Sequence, residues 1–405
     1  MLSRFVCKDY TGIAFKVFLS TFGLYIIICI LSHSLVKSPY TDYFISYDQI
    51  LFFTEAENIY NNQFTWDNVW EMREYSGSPM AFYVFALLFG FAKLLHISDI
   101  LLFMKLNNAF VGSLIFFFLF DLCQRLGYVH KHLKKDVFLF AVLSPIMLLS
   151  CQLLRDVHIS FLYTLIVWLV AGFQYRIKWV LIIILIMITY SFRIENGMFA
   201  LIFLLIKPLN ILFESKSKKM YKVAILVFLI VAFYVLNISV AQTMVDTIEH
   251  YTARSLEAAS EDSMGARLAS FPFPFDIISK TTFAMLLPFP LWFNFAHFDR
   301  EAYLMIGETF FPYYWCTMLV VIAFALYRNF SQWDKKLLVL LLIGALYLFV
   351  CSASEFGTRR LTAIYPLFFV SYEYVKTRFN IKISYYLGSV TIAIMFLNLV
   401  YFLIR

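Results

Sequence analysis

The chain has 405 residues, 62% of them hydrophobic and only 15% charged, with 47 Phe and a formal net charge of +7. Soluble domains carry about a quarter charged residues, so water-soluble packing is excluded; a bilayer accommodates such a chain in stretches of about 20 apolar residues. The basic residues are spread over short connections rather than gathered on one folded face, which excludes nucleic acid as a partner.

Apolar runs predict an all-α polytopic integral membrane protein of about 11 transmembrane helices. In chain order they fall near 12–34, 104–124, 136–153, 158–175, 178–192, 196–213, 222–242, 311–327, 336–352, 361–375 and 384–403. The first run begins basic but continues for about 20 residues with no small-residue cleavage site, so it is read as a retained span. Residues 80–95 form a further apolar stretch. If it crossed the membrane, Arg125, Lys131, Lys134 and Lys135 would land outside, against the positive-inside tendency. It is therefore expected to lie as a juxtamembrane helix on the outer side.

The other basic connections then fall inside: Arg4 and Lys8; Arg176 and Lys178; Lys207 and Lys216 to Lys222; Arg328, Lys335 and Lys336; Lys376, Arg378 and Lys382. The expected arrangement is a single transmembrane domain over 1–405 with a cytoplasmic N-terminus, multi-pass in a cell membrane of the bacterial inner or plasma type. Two long outer loops, 35–103 and 243–310, are expected to be ordered and to contain juxtamembrane helices, because they carry Trp66, Trp70, Trp292 and many Phe. The six cysteines show no paired spacing, so no disulfide framework is implied. His96, His158, His250 and His297 have no metal-ligand spacing and are read as structural.

Four outer segments carry the candidate chemistry. The first reads Tyr47-Asp48-Gln49, then Glu55-Ala56-Glu57-Asn58; a carboxylate at the membrane edge is costly and tends to mark a site. Glu55, Glu57, Asp67, Glu71 and Glu74 are read by their position alone as solvated or helix N-terminal charges. The second is Arg155-Asp156 between two spans, where Asp156 could instead cap the following helix. The third is the tight turn Arg193-Ile194-Glu195, whose opposite charges could simply satisfy each other. The fourth, Glu355 to Arg360, sets Arg359 and Arg360 at the mouth of a span; the planar guanidinium suits bidentate phosphate binding, and lipid headgroup contact is the rival use. All four face the same side. Carboxylates and arginines converging there suit a reaction on a lipid-linked phosphate ester.

At these residues the chain resembles the membrane glycosyltransferases of the GT-C type, in particular those related to protein mannosyltransferases and the aminoarabinose transferase of lipid A. The resemblance is one of order: Tyr47-Asp48 in the first outer loop; an aromatic helix from Pro79 to Gly90; Lys105-Leu106-Asn107 to Gly112-Ser113; Ser144-Pro145 leading to Arg155-Asp156; the turn at Arg193; and Arg359-Arg360 before Tyr365-Pro366. Gly77-Ser78-Pro79 stands where the family has a His-Pro-Pro type sequence.

The resemblance implies transfer of a sugar from a polyprenyl-phosphate-linked donor to a glycan, lipid or protein acceptor, in cell-envelope glycan or glycolipid assembly. Asp48 and Asp156 are the expected catalytic residues; Glu55, Arg155, Arg193, Glu195, Arg359 and Arg360 are the expected substrate-binding residues. No cofactor and no metal ligand is assigned, with a divalent metal left open. Membrane lipids are the remaining expected partner. Two alternatives stand beside this reading: an O-antigen or capsular polysaccharide polymerase, which Arg254 and Arg267 would suit, and a lipid-linked glycan flippase or transporter, which calls for charges deep in spans and broken helices.

Overall fold

The computed structural model describes residues 11–35, 47–64, 79–173, 177–206, 275–286, 302–354, 358–379 and 381–404. Every regular element among them is helical. They are α1 (Thr11–Leu35), α2 (Tyr47–Asn61), α3 (Pro79–Leu94), α4 (Ile100–Arg125), α5 (Leu133–Leu143), α6 (Pro145–Ser150), α7 (Asp156–Gly172), α8 (Lys178–Phe192) and α9 (Ile194–Ala200), then α10 (Phe275–Leu286), α11 (Ala302–Asn329), α12 (Lys335–Ser354), α13 (Thr358–Leu361), α14 (Tyr365–Phe379) and α15 (Ile383–Ile404). The expected span 222–242, the tract Lys216 to Lys222, Arg254, Arg267 and most of the second long loop lie outside the described residues. So do Trp66, Asp67, Trp70, Glu71, Glu74, Gly77, Ser78, Trp292 and Glu355 to Gly357.

Among the described residues four helices are long and apolar enough to cross a membrane: Gly12–His33, Ile100–Arg125, Thr309–Gln332 and Ile383–Leu403. Lipid offers no hydrogen bonds to the backbone, so a spanning segment has to satisfy its own, as a helix does. Leu19, Ile27 and Leu31 on α1 and Ile392, Phe396 and Phe402 on α15 are exposed. An outward apolar face of that extent is foreign to soluble monomers and suits a lipid-covered surface. Inside the bundle, aromatic rings fill the gaps between helices: Phe140 of α5 stacks on Phe369 of α14 at 4.6 Å, and Trp315 of α11 meets Tyr365 at 4.7 Å.

Three expected spans take a different form. The run 136–153 is split into α5 and α6 at Ser144, whose φ of −69° and ψ of 149° are extended. Pro145 is the cause, since its ring crowds the preceding residue out of the helical region and it brings no N–H. The run 196–213 begins as the short α9 and passes into a 3₁₀ turn, Leu201–Leu205. The run expected from 311 starts earlier, because α11 passes straight through Pro312. A proline in sequence suggests a helix start, but in a packed membrane helix neighbours satisfy the backbone group it frees.

The bundle sorts its charges between two ends. At one end His33 Nε2 in the last turn of α1 meets Asp99 Oδ2, which precedes α4, at 2.6 Å. The α2–α3 hairpin between them therefore leaves from and returns to that end. It is welded by Phe52 against Phe82 (5.1 Å) and Phe85 (5.3 Å), and a Cβ on Gly90 would lie 2.9 Å from the Tyr60 ring. At the other end His130 Nε2 meets Glu373 Oε2 at 2.6 Å, and Lys376 bridges Glu373 and Asp136. Lys134, Lys135, Lys178, Lys335, Lys336 and Arg378 lie at helix termini of this second, basic end.

Candidate functional site

The first end of the bundle is built from helix termini. Asp48 lies in the first turn of α2, Asp156 opens α7, Arg193 and Glu195 flank the start of α9, and Arg359 and Arg360 lie on α13. The turn between α8 and α9 is close enough that a Cβ on Gly197 would lie 2.2 Å from the Cα of Tyr190. That closeness holds Arg193 in extended backbone, φ −162°, at the mouth of the bundle.

The charged side chains form one chain of contacts. Arg359 donates from Nη1 to Asp48 Oδ2 at 2.5 Å and from Nε to Asp156 Oδ2 at 2.6 Å. The second oxygen of Asp156 faces Arg193 Nη1 at 3.6 Å, and Arg193 Nε faces Glu195 Oε2 at 3.5 Å. The two carboxylates on Arg359 are unequal: the Asp156 side chain is 3% exposed, that of Asp48 44%. An exposed ion pair contributes about 0.2–1 kcal/mol, whereas stripping the partner from a buried charge costs about 3–5 kcal/mol. The Asp48 contact is the one that can open.

Electrostatics agree with the geometry. Burial pushes the Asp156 carboxyl up, but the guanidiniums of Arg359, Arg193 and Arg155 outweigh it and hold the group below the usual carboxylate range. Glu195 behaves likewise: burial raises it and Arg193, with Arg360 and Arg155 behind, brings it below its ordinary value. Arg359 is raised, because Asp156 and Asp48 overcome the burial that lowers it. Burial and the charge of Arg193 bring Arg155 down to about 10, which leaves it charged at neutral pH.

A polar frame not foreseen from the sequence fixes the backbone beneath these charges. Asn108 of α4 donates from Nδ2 to the carbonyls of Gln152 (2.7 Å) and Leu154 (3.0 Å), and Gln49 Oε1 accepts from the Leu153 N–H at 2.8 Å. Thr362 donates to the Arg359 carbonyl at 2.8 Å and meets Ser160 of α7 at 2.9 Å. Asn196 Nδ2 donates to Tyr347 OH, which donates to the Arg360 carbonyl. The available signal was the presence of amides and hydroxyls inside apolar runs, where polar groups are expensive without partners.

Of the expected site residues, Asp48, Asp156, Arg193, Glu195 and Arg359 are joined in this network, with Arg155 and Arg360 close enough to act on its charges. Glu55 lies two helical turns along α2 and enters no ion pair among the described residues. Asp156 does not cap α7, since Arg155 occupies that position and makes no capping side-chain hydrogen bond to the helix. Arg193 and Glu195 do pair, yet Arg193 also serves Asp156. His158 packs flat on Phe192 (5.5 Å) and edge-on to Phe85 (5.7 Å).

A metal-ligand set does occur among the described residues, at the opposite end: ligand atoms of His130, Asp136 and Glu373 lie within 4.8 Å of one another. The Lys376 ammonium touches both carboxylates, so a cation of the chain already lies between them and the cluster ties α5 to α14. Between Asp48 and Asp156 the guanidinium of Arg359 takes the same place. No family model, curated protein or solved structure matches this chain.

Proposed function

We propose that this protein is a membrane glycosyltransferase that moves a sugar from a polyprenyl-phosphate-linked donor to an acceptor at the outer face of a cell membrane, with its N-terminus in the cytoplasm. The observation that carries the reading is the clamp of Arg359 on Asp48 and Asp156, which gathers two carboxylates and a guanidinium from distant parts of the chain at one end of an apolar bundle. An ester of a lipid phosphate presents its charged group at that depth, and arginine is the side chain suited to receive it.

In the proposed reaction Asp48 is the general base. It takes the proton of an acceptor hydroxyl as that oxygen bonds to the anomeric carbon, while the bond from that carbon to the phosphate oxygen breaks and its electron pair leaves with polyprenyl phosphate. A single base without a covalent intermediate inverts the anomeric centre, by analogy with the two-carboxylate logic of glycosidases. Asp156, buried and held ionised, positions Arg359 and Arg193 rather than exchanging protons. The arginines stabilise the charge that grows on the leaving phosphate.

The test is transfer from a radiolabelled polyprenyl-phosphate sugar library by the full chain in proteoliposomes, comparing parent and Asp48→Asn. Loss of a general base lowers the rate by at least about a hundredfold, with thermal stability close to the parent's. A well-folded Asp48→Asn protein that transfers sugar at the parent rate removes Asp48 from the mechanism. A lipid-linked glycan flippase is the second reading, favoured by the helix break at Ser144 and Pro145 and by Lys105, buried on the second turn of α4. Movement of a labelled lipid across the bilayer without any glycosylated product would decide for it.

A further inference from the structure

We propose that Arg359 is the seat of the donor phosphate and that Asp48 occupies that seat in the empty protein, so that arrival of the phosphate itself releases the base. The proposal rests on the glycosyltransferase reading above and adds the order of events to it. While Asp48 is bound to Arg359 Nη1 at 2.5 Å, the oxygen facing the guanidinium is not available to an acceptor hydroxyl. Exchange is built into the asymmetry of the clamp. The Nε edge of Arg359 is held by a carboxylate that is 3% exposed and has a second arginine on its other oxygen; the Nη1 edge is held by one that is 44% exposed.

A phosphate oxygen is a charge-assisted acceptor at least equal to a carboxylate, and it brings further oxygens for the neighbouring guanidiniums. Charge bookkeeping over the cluster supports the exchange. With Asp48 withdrawn, Arg155, Arg193, Arg359 and Arg360 face Asp156 and Glu195, a surplus of two positive charges. A sugar-phosphate-polyprenyl diester carries one negative charge and the departing monoester close to two. The surplus is thus matched only as the sugar leaves, which is where stabilisation accelerates the reaction.

The experiment is binding of undecaprenyl phosphate, undecaprenol and inorganic phosphate to the full chain in nanodiscs, read by native mass spectrometry. Asp48→Asn removes the competitor and should bind undecaprenyl phosphate about tenfold more tightly than the parent, the factor expected when one competing charge-assisted bond is lost. Glu57→Gln removes an equal charge from the same helix, more than two turns from Asp48, and should leave binding within about twofold, since charges that far apart near the surface are largely screened. Arg359→Gln strips the direct partner from Asp156 Oδ2, so the double variant Asp156→Asn/Arg359→Gln is measured beside it; both should lose preference for the phosphate over undecaprenol. If the parent prefers undecaprenyl phosphate and Asp48→Asn binds it no more tightly, or Glu57→Gln tightens binding as much, the exchange is overturned while the transferase reading stands. If the parent does not distinguish undecaprenyl phosphate from undecaprenol, the reading beneath it falls as well. Equal tightening for inorganic phosphate keeps Arg359 as an exchange seat and overturns the lipid source.

Discussion

A carboxylate withdrawn from solvent stays ionised only where its partners replace the lost hydration, and for Asp156 those partners come from far along the chain. Arg359 is separated from it by 203 positions, while its sequence neighbour Arg155 acts on it through charge. The sequence showed that Arg155-Asp156, Arg193 and Arg359 belong to one face; it could not show that Asp156 bonds Arg359 directly, because pairing across the bundle depends on helix packing and not on local order. The depressed carboxyls of Asp156 and Glu195 make stability depend on pH with a definite sign. The unfolded chain binds more protons at acid pH, so their contribution is fully present above the unfolded value of about 4 and is lost as pH falls through the lower folded values. The contribution of these two carboxyls to the thermal midpoint in detergent should therefore be constant from about pH 7 to 5 and fall below about pH 4. Asp156→Asn should lower the midpoint at neutral pH and make the acid fall shallower. An Asp156→Asn protein with the parent's acid profile would assign that fall to other carboxylates.

At the scale of the element, the apolar runs made helices legible and their breaks less so. Periodicity and length recognise α1, α4 and α15 because each carries an apolar stretch long enough to cross a membrane. They say little about α5, α6 and α9, where the outcome turns on one proline or on how closely two backbones approach. The α8–α9 turn gives a prediction of this kind. Gly197→Ala puts a Cβ 2.2 Å from Tyr190 Cα and 2.5 Å from Tyr190 N, backbone atoms that no rotamer change can move aside. The hairpin must open, and Arg193 moves with it. Gly388 in α15 meets nothing within 4 Å, so Gly388→Ala gains the helix preference of alanine, about 0.5–1 kcal/mol, without a clash. Thermal melts of the two variants should move in opposite directions, with sugar transfer lost only in Gly197→Ala. Equal melting temperatures for the two would mean that the α8–α9 turn has room the geometry denies it.

For the whole molecule, two independent kinds of information bear on the arrangement in the membrane. Contacts between helix termini set which connections share an end: Asp99 with the last turn of α1, and Asp48 with Arg359 and Asp156, at one; His130 and Asp136 with Glu373 and Lys376 at the other. The concentration of Lys and Arg at the second end predicts that this end faces the cytoplasm. Topology reporters test the two steps separately. Reporters inserted after Asn62 and after Ile97 flank α3; both should read outside, because the hairpin returns to the end it leaves from and neither α2 nor α3 reaches the length of a spanning helix. Opposite readings at these two positions would make α3 a true span. Reporters after Lys134 and after Arg378 should both read cytoplasm, as should one after Lys219, which lies outside the described residues. If Lys134 and Arg378 read outside while Asn62 and Ile97 read inside, the bundle is intact but inverted. The arginines and carboxylates would then face the cytoplasm, and the donor would have to be drawn from the inner leaflet.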